Sequence, residues 1–236
     1  MDMVRHSFLV ILALLAAGCG TRNLAGSDLD RVKKPAFVSR IEDEAGPRSL
    51  VFREDGAYRK KLKKLDEKEA DRRLQVKLDN AVTRFEISER LRVHTLSQLP
   101  QERPWVNTVD ASRVASVLES YLVEEVPANE PDYELLAPLG TDTVVEFVVQ
   151  DYGMRSRGGR AGVYIRGYGR MFRLTDRTEV WRRPFEVDRV DEKAPHLDPF
   201  KVAKDPELFR QEMRSMLDEI AARFVKDLTP RDRNPE

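Results

Sequence analysis

The sequence has few of the residues that form disulfides or bind metals: one cysteine, Cys19, and three histidines in 236 residues. A single cysteine cannot form an intrachain disulfide, so the core must be stable without one. Basic and acidic residues are equal in number, with 41 of each, and this balance argues against a dedicated nucleic-acid-binding protein. After residue 17 no apolar run is long enough to cross a bilayer. The composition therefore predicts a chain without disulfides or transmembrane helices and without nucleic acid as a partner.

The first twenty residues have the pattern of a bacterial export signal. An apolar run at 7–17 follows a short polar start, and Ala16-Ala17-Gly18 stands directly before Cys19. This resembles the lipobox of bacterial lipoproteins, in which the cysteine thiol is lipidated and the preceding peptide is removed. The resemblance implies a signal peptide at 1–18 and a palmitate-carrying lipid anchor on Cys19. The alternative is an ordinary secretory signal cleaved near Ala17, with Cys19 left as a free thiol.

The residue after the cysteine bears on the destination of the lipoprotein. Gly20 stands where an inner-membrane retention signal usually has Asp. By this resemblance we expect the lipid anchor on the periplasmic face of the outer membrane, with the inner membrane as the alternative.

Composition divides the rest of the chain into three parts. Residues 19–56 are rich in charge, Gly and Pro, and we predict a lipidated N-terminus followed by a flexible tether. For two short apolar pieces, 36–38 and 50–52, the alternative is that they dock on the domain as edge strands. Residues 57–230 are predicted to form a single α/β periplasmic domain, and 231–236 a polar tail.

Helical periodicity recurs along the predicted domain. Residues 58–87 are predicted to be helical, with the lysines of 60–64 on a solvated helix face rather than at an anionic partner. An alternating run at 91–95 predicts a strand. Asp110 is predicted to cap one helix, and an apolar stripe from Phe209 to Leu228 predicts the helix that covers the sheet.

Three strand-like runs lie at 143–152, 163–174 and 178–187, and a glycine-rich hairpin loop is predicted at 153–162 between the first two. Short connections make these runs an antiparallel meander. We therefore predict an α+β fold: a mixed sheet with an antiparallel three-strand meander at about 143–188, covered by two or three amphipathic helices.

The sequence offers little for catalysis. His94 and His196 are far apart, and no nucleophile elbow, metal-binding helix or phosphate loop is present. We expect no enzyme activity, no cofactor and no metal. The residues predicted to bind a partner are Arg155, Arg157 and Arg160 of the glycine-rich stretch, because guanidinium groups suit carboxylates and phosphates. Trp105 is a further candidate, with burial in the core as the alternative.

One run links the sequence to known proteins. Residues 174–181, which follow a strand that begins after Asp151-Tyr152-Gly153, together with Pro199-Phe200, resemble a pattern in bacterial envelope lipoproteins of the TolB N-terminal-like and CsgG-like group. The resemblance implies an accessory protein of envelope assembly rather than an enzyme.

These observations predict a lipid-anchored periplasmic accessory or adaptor lipoprotein that binds another envelope component, either a protein or peptidoglycan. The alternative is a structural subunit that oligomerises in an envelope secretion or transport complex. The sequence leaves the oligomeric state open.

Overall fold

The longest strands of the sheet are those that the sequence predicts best. The structure, a computed structural model, describes residues 20–118, 126–191 and 196–230. The predicted signal peptide, Cys19 and the polar tail lie outside these residues. The strands are β1 (Pro35–Ile41), β2 (Arg48–Leu50), β3 (Thr143–Arg157), β4 (Arg160–Arg173) and β5 (Glu179–Asp188).

Helices surround these strands and include several short ones near the N-terminus. They are α1 (Gly26–Leu29), α2 (Val51–Glu54), α3 (Gly56–Arg59), α4 (Glu67–Ala81), α5 (Arg84–Gln98), α6 (Ala111–Leu118), α7 (Pro199–Lys204) and α8 (Glu207–Leu228). Short 3₁₀ segments occupy Trp105–Asn107 and Tyr133–Leu139.

The sheet is mixed, with the order β1-β3-β4-β5 and with β2 beside the far half of β3. The antiparallel meander of β3, β4 and β5 confirms the predicted fold class. Both β1 and β2 run parallel to β3. Nearly all of β3 is buried on both faces, as its apolar sequence predicts for a central strand.

The main core lies between the sheet and the pair α5 and α8. Phe224 of α8 stacks on Phe147 of β3, with 4.9 Å between ring centroids, and meets Trp181 edge-to-face. A Cβ added at Gly169 would lie 2.5 Å from the Trp181 ring, so only glycine lets that ring reach the helix. Helix α8 thus covers the sheet as predicted.

The predicted strand at 91–95 is wrong, because these residues belong to α5. Ile87, Leu91 and Thr95 recur every four residues and are buried, whereas Val93 is half exposed. The alternating pattern of the five residues 91–95 was interpreted as a strand, although the buried residues repeat with a helical period. Helix α5 packs on α8 and on β1, and those long-range contacts select the helix.

The predicted tether at 19–56 is also wrong for the part that the structure describes. Strand β1 covers the apolar piece 36–38 and pairs with β3, while 50–52 spans the end of β2 and the start of α2. Leu24, Leu29 and Val32 are buried in the main core. Scattered apolar residues in a polar segment find partners on the folded domain, and their burial offsets the entropy of ordering.

Candidate functional site

The three arginines predicted to bind a partner lie on strands rather than on a loop. Strands β3 and β4 extend into the predicted loop at 153–162, and only Gly158 and Gly159 form the turn. Both glycines have positive φ, of 60° and 78°, as a two-residue hairpin requires. The hairpin therefore holds Arg157 and Arg160 as cross-strand partners beside the turn.

Arg155 and Arg157 are occupied by carboxylates of the same chain. The Nε of Arg155 donates to Asp188 Oδ2 at 2.8 Å, and its guanidinium lies over the Tyr164 ring. Arg157 donates to both oxygens of Asp191, at 2.8 and 3.0 Å. Arg160 is exposed and has no ion pair within the described ranges. Of the three, Arg160 is the one whose charge is most available to a partner.

Trp105 lies in the core and not on a binding surface. It is 6% exposed and meets Phe37 of β1 edge-to-face, with 6.0 Å between ring centroids. Trp105 therefore packs beneath β1 and does not form part of a partner-binding surface.

The hairpin tip is tied to the segment that follows β2. Gly159 N–H donates to Asp55 Oδ2 at 2.6 Å, and the same carboxylate caps α3 through Ala57 N–H. A Cβ built at Gly159 lies 3.7 Å from that of Ala57. These contacts place α3, and the lysine-rich turn directly after it, beside the hairpin.

The lysine-rich turn is a feature whose importance the sequence interpretation missed. Lys60, Lys61, Lys63 and Lys64 lie between α3 and α4 rather than on the predicted helix face, and all four are exposed. Leu62 and Leu65 pack against the main core and hold the turn in place. The repeat of two lysines followed by a leucine at 60–65 was the signal in the sequence that could have identified this turn.

The four lysines follow the helix α3 that touches the hairpin next to Arg160. Among the described residues no carboxylate lies within ion-pair distance of any of the five, and Lys61 Nζ lies 4.7 Å from the centroid of the Tyr58 ring. We name these residues the basic tip: Lys60, Lys61, Lys63, Lys64 and Arg160.

Other charges of the sheet are buried and paired. Glu146 of β3 is fully buried, accepts from Arg40 Nε at 2.7 Å and from Tyr133 OH at 2.5 Å, and is ion-paired with Arg170. Burial by itself would lower the pKa of Arg170, but Glu146 and Glu130 hold the net pKa above its usual value. This cluster lies inside the molecule and stabilises the packing between the sheet and the 3₁₀ segment.

The two histidines of the described structure have different surroundings. His94 Nδ1 lies 3.4 Å from Asp218 Oδ1, and the same carboxylate accepts from Arg90. His196 is exposed. The part of the chain that the structure covers contains no group of three His, Cys, Asp or Glu residues placed to hold a metal ion. Within those same residues no helix is both long and apolar enough to cross a membrane.

No protein-family model and no curated protein matches this sequence. Three solved structures are similar over most of the chain. Lipoprotein GNA1162 from Neisseria meningitidis is 11% identical, with a TM-score of 0.38, over 80% of this chain and 96% of that one. The hypothetical protein CT253 from Chlamydia trachomatis is 12% identical, with a TM-score of 0.40, over 83% and 98%. The LpoB C-terminal domain from Salmonella enterica is 8% identical, with a TM-score of 0.27, over 76% and 93%. Two of the three are lipoproteins by name, but at these TM-scores the similarities assign neither family nor function.

Proposed function

We propose that the protein is a lipid-anchored, non-catalytic accessory protein of the bacterial envelope. Its anchor is Cys19, and its basic tip binds an acidic surface of another envelope protein. The observation that carries the proposal is a set of five exposed cations, on the lysine-rich turn and on the hairpin that contacts α3, none of which has an ion pair among the described residues. Elsewhere on the domain many arginines are ion-paired within the chain.

The geometry of the basic tip favours a protein over a small anion. The four lysines are point charges on flexible stems, spread along a turn, and they lack the paired guanidinium geometry that grips a single carboxylate or phosphate. Positive charges spread over a surface attract an acidic protein surface from a distance, and this attraction raises the rate of association at low salt.

The finer assignments belong to the same proposal. We place the protein with the TolB N-terminal-like and CsgG-like lipoproteins on the motif at 174–181, and at the outer membrane on the strength of Gly20. Retention of labelled palmitate by a Cys19→Ser variant would contradict the anchor.

The partner test uses the full lipidated protein purified from gently solubilised envelopes, with mass spectrometry of the proteins recovered with it. We expect one stoichiometric partner with the wild type and loss of most of it with Lys63→Glu/Lys64→Glu. The matched control is Lys77→Glu/Arg113→Glu, which changes the net charge equally at exposed positions of α4 and α6. The control is expected to retain the partner.

Two outcomes oppose the proposal. Equal recovery of the partner by both double variants would show that the basic tip is not the binding surface. Recovery of the protein alone, in a species of high mass, would instead support the oligomerising structural subunit.

A further inference from the structure

The first described residues form part of the sheet edge rather than a tether. Arg22 and Arg182 of β5 make an antiparallel bridge, with Arg22 N–H donating to Arg182 O at 2.8 Å and Arg182 N–H donating back at 2.9 Å. Arg183 Nη2 donates to Asn23 Oδ1 at 3.0 Å. Leu24 and Leu29, the next apolar residues, are 6% and 2% exposed. The chain is therefore attached to the folded domain from Arg22 onward.

This attachment leaves almost no free chain between the domain and the proposed lipid. Cys19 precedes Arg22 by three residues, and consecutive Cα atoms are 3.8 Å apart, so the two Cα atoms are separated by at most about 11 Å. A lipidated Cys19 inserts its acyl chains into the bilayer. The edge of β5 near Arg182 must then lie close to the membrane surface.

The surface beside this edge carries an excess of positive charge. The C-terminal part of α8 lies along β5, where Asp227 accepts from Arg183 Nε at 2.6 Å. Lys226 and Arg22 are exposed and have no ion pair within the described ranges. Phospholipid headgroups with net negative charge attract such residues.

We infer that the domain is seated directly on an anionic bilayer, with the Arg182 end of β5 and the C-terminal end of α8 facing the lipid and the strands pointing away from it. This inference rests on the proposed lipid anchor at Cys19 and adds the orientation of the domain. Strand β4 passes from Arg170, the partner of Arg182, to Arg160 of the basic tip. Ten residues of strand span about 33 Å, so the basic tip is held away from the membrane.

The test measures energy transfer from two labelled positions to lipid in the membrane. The lipidated protein is reconstituted in vesicles of phosphatidylethanolamine and phosphatidylglycerol that contain an acceptor-labelled lipid. Because lipidation consumes the thiol of Cys19, Ala222→Cys on α8 or Ala57→Cys on α3 supplies the single free thiol for the donor. Both alanines are exposed, and each marks one end of the molecule. We expect transfer from position 222 to be several-fold higher than from position 57.

A linker variant tests whether the short arm causes this orientation. A Gly/Ser insertion of about 20 residues between Gly20 and Thr21 has an end-to-end distance of about 25 Å, so it releases the domain from the surface. We expect the insertion to reduce transfer from position 222 and to remove most of the difference between the two positions.

The outcomes separate the inference from the proposed anchor. Equal transfer from both positions without the insertion, in protein that carries lipid and floats with the vesicles, would overturn the inference and leave the anchor intact. Unlipidated Cys19→Ser protein that still floats with neutral phosphatidylcholine vesicles would overturn the anchor itself. An equal difference in phosphatidylcholine vesicles would overturn the part that assigns the orientation to anionic lipid.

Discussion

Glu146 shows how the environment of one residue can depend on the whole fold. In the sequence it is a single carboxylate in an apolar strand. In the structure Arg40 of β1 and Arg170 of β4 reach it from both neighbouring strands, and Tyr133 reaches it from the 3₁₀ segment. A buried carboxylate is tolerated only when paired in this way.

Replacing Glu146 with Gln leaves two guanidinium groups without their buried counter-ion. We expect Glu146→Gln to lower the free energy of unfolding by about 3–5 kcal/mol, as breaking a buried ion pair does. Urea denaturation measures the change. The matched control is Glu186→Gln of β5, whose exposed carboxylate lies 3.5 Å from Arg155 and is expected to change stability by less than about 1 kcal/mol. A similar small effect at Glu146 would show that the cluster contributes little.

Glu69 is a partly exposed carboxylate whose pKa is lowered by two neighbouring arginines. Its oxygens accept from Arg72 Nε and Arg73 Nε, each at 2.7 Å, in the first turns of α4. Hydrogen bonds from these two guanidinium groups lower the pKa of Glu69 from 4.5 to about 2. A lowered carboxyl pKa stabilises the folded state above the unfolded value, and this contribution is lost as the pH falls from 4.5 toward 2.

The measurement is an NMR titration of the Glu69 side chain in the folded protein. We expect a midpoint near 2 in the wild type and a return toward 4.5 in Arg72→Ala/Arg73→Ala. A wild-type midpoint already near 4.5 would mean that solvent screens both arginines.

At the scale of elements, the N-terminal arm differs most from its sequence prediction. Residues 20–34 contain charge, glycine and only scattered apolar side chains, a pattern typical of linkers. The arm folds because Leu24, Leu29 and Val32 find apolar surface on the sheet and helices. Burial that a local pattern does not predict is a tertiary effect.

A substitution in α1 tests this packing. We expect Leu29→Ala to lower the free energy of unfolding by about 2–5 kcal/mol, since it removes buried methyl groups and leaves a cavity. Ser27→Ala, at an exposed position of the same helix, is the matched control and is expected to change stability by less than about 0.5 kcal/mol. If urea denaturation gave equal, small changes in the free energy of unfolding for both variants, the result would support the predicted flexible tether instead.

At the scale of the molecule, the length of the sheet separates two surfaces of different character. One end carries the arm paired to β5, next to Cys19 in the chain, and the other carries the basic tip. In the inferred orientation the membrane binds one end, and in the proposed function the opposite end is presented to a partner in the periplasm. The rigid strand β4, rather than a flexible tether, sets the distance between them.

Local patterns in the sequence determined the elements that carry their own signals. The apolar run of β3 and the long apolar stripe of α8 repeat over enough residues to identify their type. Asp110 was predicted as a helix cap from the apolar repeat that follows it, and in the structure its carboxylate accepts from the N–H groups of Ser112 and Arg113, which are near neighbours in the chain. The antiparallel meander followed from short connections between strands.

Only the tertiary structure decided the features made by residues distant in the chain. The parallel pairing of β1 with β3 joins residues about a hundred positions apart, and the helical state of 91–95 depends on packing against α8. The candidate site has the same origin, because contacts of Gly159 with Asp55 and Ala57 place the hairpin that carries Arg160 beside the segment that leads into the lysine-rich turn. Periodicity reports which side of an element is apolar, whereas the partner of that side depends on contacts between elements.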